Sequence, residues 1–246
     1  MAKSNTLSTN SIIDCACVIH GTGYNWTYVD RLYNMLTRVF PDGIRLHVYT
    51  ESAREVPAHM IKHVLQEWPG ISGPKKSWWY KMQLFNPEYF AGNLLYLDLD
   101  VVVVRKLDWV HNHDTSVFWG IRDFKYLQNC SRNVINSSMM WWNVGQFSHV
   151  WHTFNAADIN RVMRQFRGDQ DYITHAIDQS QQRFFEDKYF ESYRWQTLDG
   201  GYQFDQKKHV LPGTGVKISG DTALVVFHGV PKPHEVTDPA ITELWR

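Results

Sequence analysis

Leu94-Leu95-Tyr96-Leu97-Asp98-Leu99-Asp100-Val101-Val102-Val103-Val104 is the stretch on which the reading of this chain turns. Every residue in it is apolar or aromatic except two acids spaced two apart. A run this apolar predicts a strand buried on both faces, as in a largely parallel sheet. Ionised carboxylates are costly to desolvate there. Asp98 and Asp100 therefore belong where the strand emerges, at its C-terminal end, the edge at which open α/β sheets bind ligands. Residues i and i+2 of an extended chain point the same way, roughly 6–7 Å apart. Both carboxylates can then address one divalent cation, directly or through water. The stretch predicts a Mg2+ or Mn2+ site holding a substrate phosphate.

Upstream, residues 12–19 (IIDCACVI) predict a first buried strand ending at His20-Gly21-Thr22-Gly23-Tyr24. These glycines let a ligand approach the backbone. Trp26 takes the third glycine's place in G-x-G-x-x-G, which disfavours a dinucleotide fold. Val29, Leu32, Tyr33, Leu36 and Phe40 recur at helical spacing, predicting an amphipathic helix over Thr27–Val39. Pro41-Asp42-Gly43 ends it and residues 44–49 supply a second strand. A strand–helix–strand unit opens a parallel α/β sheet. Residues 57–67 read as a helix with His59 and His63 one turn apart. The Glu of H-E-x-x-H is missing, so a solvated face is the better reading than a zinc site. After a loop at 69–74, Ser77 is expected to cap a helix whose apolar stripe is Trp78, Met82 and Phe85. Lys81 lies beside that stripe, either as a plain surface lysine or as a phosphate partner just ahead of the acidic strand.

Downstream, residues 116–121 predict another strand, and His111-Asn112-His113 before it a loop without an assigned role. In the segment 134–142, Asn136, Ser137 and Ser138 stand against a bulky apolar run. That suits close ligand approach, and equally the plain start of a strand. Residues 158–166 predict a short helix. Gly168-Asp169-Gln170-Asp171 opens another, with Asp169 as N-cap and Asp171 in the first turn, as a helix N-terminus prefers. The pattern over 184–220 is irregular, with Gly200-Gly201 and Gly213-Thr214-Gly215 as loop markers. Residues 223–227 form a last strand running into His228-Gly229-Val230-Pro231-Lys232-Pro233-His234-Glu235.

At 246 residues, without repeats or linkers, one domain over 12–246 is expected, preceded by a disordered polar stretch at 1–11. Lys plus Arg and Asp plus Glu both number 25, which argues against general affinity for nucleic acid or acidic membranes. The longest apolar run is too short to span a bilayer and no charged-then-apolar leader opens the chain. Cys15, Cys17 and Cys130 show no zinc spacing and suit a reducing cytoplasm. On that view the three glycosylation patterns at Asn25, Asn129 and Asn136 are discounted. Eleven Trp, twelve Tyr and thirteen Phe speak first for an aromatic core, and more sharply for platforms under flat ligands such as sugars or bases.

Together, the carboxylate pair, a late His and two lysines suggest one site at the sheet's carboxyl edge. Carboxylates and a His around a divalent ion would hold a diphosphate, with Lys232 neutralising its outer oxygens. Such a diphosphate leaves readily, because the charge developing on its oxygen is stabilised in place. The departing partner is a glycosyl or a phosphoryl unit.

The order of these motifs resembles that of the GT-A glycosyltransferases, within them the retaining, glycogenin-like and lipopolysaccharide galactosyltransferase-like group. The likeness runs from the first strand to Lys232 as spaced short motifs. It implies a Rossmann-like α/β fold, a mostly parallel central sheet flanked by helices. Residues 12–110 would form the nucleotide-binding half and 111–246 the acceptor side. The family's Asp-x-Asp is matched by Asp98 and Asp100, implying that they bind Mn2+ (or Mg2+) and the donor diphosphate. Its basic residue in the preceding helix is matched by Lys81 in Trp-Trp-Tyr-Lys-Met, implying contact with the donor, beside Gly21 and Tyr24. Asn136-Ser137 matches an Asn-Ser segment near sugar and acceptor, and Asp169-Gln170 an Asp-Gln facing the transferred sugar. Gly229, Lys232 and Pro233 match a final Gly-x-x-Lys-Pro, with Lys232 on the phosphates. The family's metal-binding His stands three residues before that Gly, where this chain has Val226. His228 precedes the Gly directly, and a shift of two keeps the same strand face, so His228 is expected as third ligand. His234 replaces the Trp that follows Lys-Pro. The resemblance implies metal-dependent transfer of a hexosyl unit, with retention, from a UDP-sugar to a glycan, lipid-linked or protein acceptor. Two alternatives stand beside it. One is a haloacid-dehalogenase-type phosphatase with Asp98 as nucleophile, against which two strands precede the motif. The other is a non-catalytic sugar-binding module.

Overall fold

The computed structural model describes residues 12–71, 76–128, 133–198 and 215–246. The N-terminal stretch to residue 11, the loop residues 72–74, Cys130 with its glycosylation pattern, and the glycines at 200, 201 and 213 lie outside them. β1 (Ile13–Ile19), α1 (Thr27–Val39) and β2 (Ile44–Thr50) form the expected strand–helix–strand unit. Val29, Leu32 and Leu36 of α1 are fully buried, as the helical spacing requires. The remaining strands of the large sheet are β3 (Ile61–Val64), β4 (Asn93–Leu97), β6 (Phe118–Arg122), β7 (Ile135–Asn143) and β8 (Gln182–Phe184). Their order is β3-β2-β1-β4-β7-β6-β8. All neighbours are parallel except β7, which runs against both β4 and β6. The mostly parallel α/β sheet is therefore present.

The stretch 94–104 departs from the single strand expected. It is two strands in two sheets. β4 ends at Leu97, the chain turns through Asp98–Asp100, and β5 (Val101–Val103) joins a second sheet in the order β5-β10-β9, with β10 at Leu224–Val226 and β9 at Phe190–Ser192. Uniform apolarity hides the break because each part is buried separately. Leu95 and Leu97 pack with Cys15, Cys17 and Met139 under α1. Leu94 and Tyr96 face the other way, among Ala16, Met140 and Trp142.

Residues 57–67 are not a helix. A turn leads into β3, which extends the sheet edge by pairing Ile61–Val64 with His47–Thr50. β-branched Ile61 and Val64 favour the pleated ladder over a short solvated helix. His63 there meets His47, with ring nitrogens 2.8 Å apart, while His59 packs on Tyr33.

The helix before the acidic turn is a 3₁₀ helix, Ser77–Phe85, and Lys76 rather than Ser77 precedes it, without a side-chain cap. Three residues per turn place Trp79, Met82 and Phe85 in the core, in place of the stripe beginning at Trp78. The same period puts Trp78 and Lys81 on one face.

Three more helices surround the second half. α2 (Ser148–Ala156), which the hydrophobic pattern did not announce, packs on the 3₁₀ helix. α3 (Ile159–Gln165) starts on Asp158, whose carboxylate accepts from the N–H groups of Asn160 and Arg161. α4 spans Asp169–Ala176 with Gly168 at the cap position, so Asp169 is not the N-cap. A short α5 (Pro239–Thr242) follows near the end, and a π-helical turn, Tyr193–Thr197, lies within the segment read as irregular. Cys15 and Cys17 are free and buried. Among the described residues no helix is long and apolar enough to cross a membrane.

Candidate active site at the carboxyl edge of the sheet

Sheet order decides what meets at this edge. β1 runs into His20, β4 into Asp98, and β6 into Asp123. β7 is antiparallel, so its first residues, Asn136 and Ser137, come to the same edge. A cavity of about 470 Å³ opens here, lined among others by His20, Gly23, Tyr24, Trp78, Lys81, Asp98, Asp100, Gly229 and Lys232.

Each acid of the turn carries its own lysine. Asp98 Oδ1 accepts from the Tyr96 hydroxyl at 2.6 Å and pairs with Lys81 Nζ at 2.8 Å. Asp100 Oδ2 accepts from the Tyr24 hydroxyl at 2.9 Å and from Lys232 Nζ. Burial and the neighbouring charge of Asp98 raise the Asp100 pKa, against the pull of Lys232. The two carboxylates thus sense each other across one small space, though on a turn rather than on one strand face.

Lys81 is only 7% exposed and also reaches Asp169 Oδ2 at 3.0 Å and Ser137 Oγ at 3.1 Å. Burial by itself would lower its pKa. The carboxylates of Asp169 and Asp98 outweigh that and hold it raised, so the ammonium stays charged. Ser137 donates to Asp169 Oδ2 at 2.6 Å. Ser137 reaches in because β7 bulges. Gly120 pairs with Met140 while Ile121 pairs with Asn136, so residues 137–139 are extra to the ladder with β6, although Met139 still pairs with Leu97 of β4. Asn136 itself turns back, its Oδ1 accepting from Ser138 N–H at 2.9 Å.

Gln170 donates to Asp123 Oδ2 at 3.2 Å. Asp123 is buried and was missed in the sequence, although it follows an apolar strand much as Asp98 does. Gly21 adopts φ +68° and its carbonyl accepts from Arg54 at 2.7 Å, so it shapes the loop while Gly23 lines the cavity. Gly229 has φ +81°, and a Cβ there would lie 2.9 Å from Arg194 Nη1, so this position demands glycine. His234 hydrogen-bonds Tyr28 and anchors the Lys232 loop to α1.

His228 follows Phe227, whose N–H donates to the Asp100 backbone carbonyl at 3.0 Å, and its own ring is engaged with β9. Its Nε2 bonds Ser192 Oγ at 2.6 Å, and its ring packs beside Phe124 and edge-on to Trp195. Burial, reinforced by Arg194, lowers its pKa to about 4. Val226 is buried in β10 opposite Val101. Among the described residues no three His, Cys, Asp or Glu side chains gather as a metal cluster. The donor set that does converge is two carboxylates. That fits a hard divalent ion, which is commonly held by one or two carboxylates plus substrate phosphates.

No family model and no curated protein sequence matches the chain. Solved structures do. The galactosyltransferase LgtC, in complex with donor and acceptor sugar analogues, superposes with TM-score 0.63 at 16% identity, over 95% of both chains. The glycosyltransferase GlyE of Streptococcus pneumoniae TIGR4 gives TM-score 0.64 at 12% identity, over 95% of this chain and 60% of its own. The bifunctional glycosyltransferase WbbM gives 0.61 at 13% identity, over 95% of this chain and 49% of its own. At such identities the likeness is one of fold, and the fold is GT-A.

Proposed function

We propose that this chain is a glycosyltransferase that moves a hexosyl unit from a UDP-sugar to a hydroxyl-bearing acceptor, a glycan, a lipid-linked sugar or a protein. The observation that carries the reading is the pair Asp98 and Asp100, each matched to a lysine, on the wall of one cavity, with Lys81 of the same wall reaching on to buried Asp169. Mn2+ or Mg2+, held by Asp98 and Asp100, would supply positive charge to the departing diphosphate. Lys232, on its loop, adds a charged donor to the outer phosphate oxygens. Tyr24 and His20 also line the cavity and would offer their rings to the base. Asp169, held by Lys81 and Ser137, takes sugar hydroxyls, and Gln170 with Asp123 faces the acceptor side.

We read the transfer as retaining. That follows the retaining group whose motif order the chain resembles; Asp169 Oδ2 already accepts from Lys81 and Ser137, and no side chain is assigned as a covalent nucleophile. The donor C1–O bond breaks, the acceptor oxygen bonds C1 on the same face, and the acceptor proton passes to the departing diphosphate oxygen. The phosphatase alternative would require Asp98 to attack, yet one of its oxygens holds Lys81 and Tyr96. Two free, buried cysteines agree with a reducing cytoplasm.

The test is a thermal-shift panel of nucleotides and nucleotide sugars, with and without Mn2+, followed by assay of sugar release and transfer. A metal-dependent rise in Tm with a UDP-sugar is expected, because ligand binding only to the folded state stabilises it. No such shift with any nucleotide sugar overturns the reading. Hydrolysis of an aryl phosphate would favour the phosphatase, and binding without turnover the non-catalytic module.

A further inference from the structure

We infer that Trp78 is the platform on which the transferred sugar ring stacks, which makes it a selector for donors carrying a pyranose with an apolar C–H face. The inference rests on the donor reading above and deepens it. Trp78 is 37% exposed, the one aromatic side chain among the exposed large hydrophobic residues of the described chain. Among the described residues no other ring or cation packs on its indole. It lines the cavity that holds Asp98 and Asp100.

Its position follows from the 3₁₀ helix. Residues three apart eclipse one another there, so Trp78 sits one turn from Lys81 on the same face. Lys81 in turn grips both Asp98 and Asp169. The far side of the indole meets α4 where Gly168 leaves room, its Nε1 only 3.5 Å from where a Cβ would stand. Trp78 therefore lies over the start of the helix that begins with Asp169. A sugar whose hydroxyls reach Asp169 would present its ring to this indole. Polar hydroxyls on a carboxylate and a C–H face on an aromatic ring suit an amphipathic ring ligand. The bare nucleotide offers no group for this end of the cavity.

The test is calorimetric titration of wild type, Trp78→Ala and Trp78→Phe with UDP, UDP-glucose and UDP-galactose, each with Mn2+. The expected result is unchanged UDP affinity in all three proteins. At least one UDP-hexose should bind Trp78→Ala about tenfold more weakly, with Trp78→Phe restoring most of the loss, a size typical of an aromatic stacking contact. Equal weakening of UDP and the UDP-hexoses would move Trp78 out of the sugar subsite, and unchanged UDP-hexose affinity would remove it from binding. If wild type binds none of the three, the donor reading falls and this inference with it. If wild type binds UDP and neither UDP-hexose more tightly than UDP, the donor reading stands and Trp78 loses its role.

Discussion

Lys81 and Asp169 form a buried ion pair at 3.0 Å that ties the 3₁₀ helix ahead of the acidic turn to the first residue of α4. An ammonium has three donors, and here three protein oxygens receive them, on Asp169, Asp98 and Ser137. Lys81 is therefore first a positioning residue. It fixes the carboxylate proposed for the sugar relative to one proposed for the metal.

Lys81→Met leaves buried Asp169 and half-buried Asp98 without their shared cation. Breaking one partner of a buried pair typically costs about 3–5 kcal/mol. Urea unfolding should show a loss of that order, and a loss below about 1 kcal/mol would show that the acids re-solvate freely.

Asp100→Asn should abolish the Mn2+ dependence of UDP binding in calorimetry, while His228→Gln retains it. The reason is geometric, since His228 Nε2 is already bonded to Ser192 Oγ. The opposite pattern would put His228 in the metal site and remove Asp100.

Lys232→Met should weaken UDP by about ten- to a hundredfold, the worth of a charged hydrogen bond of roughly 1.5–3 kcal/mol. Uridine, lacking phosphates, should bind wild type and variant alike. Competition calorimetry with both ligands checks this, and equal loss for uridine would assign Lys232 to loop structure instead.

Stability should fall as pH drops below about 6.5, in part through His63. Burial, with the charge of His47, lowers its pKa from 6.5 to about 4. The unfolded chain then takes up the proton first, so the contribution is complete above 6.5 and is lost as pH falls toward 4. Asp14 does not act in this window. Burial raises its pKa, but bonds to His47 and Arg45 prevail and hold it at about 2, so its contribution fades only below the unfolded value of 3.8. Tm measured from pH 7.5 to 4.5 should decline less steeply in His63→Asn than in wild type.

Much of the site was legible along the chain. Asp98, Asp100 and Lys232 stand out as charges beside apolar strands, and the desolvation cost places such charges at strand exits. The amphipathic period of α1 and the apolar runs of β1 and β4 are local properties, so they survive into the fold unchanged.

What periodicity could not carry was the identity of partners. Residues 94–104 are apolar throughout because two different sheets bury them, and only tertiary pairing reveals the turn at Asp98–Asp100. β3 owes its form to a vacant ladder on β2, which outweighs a weak helical pattern. The 3₁₀ period sends Trp78 to the cavity and Trp79 to the core, a choice that apolar residue types at both positions leave open. The sequence by itself determined an α/β sheet with an acidic edge, because hydrophobic period and charge desolvation act locally. Only the tertiary structure decided that Lys81 joins Asp98 to Asp169 and that His228 turns to Ser192, because contacts between distant segments depend on sheet order and register.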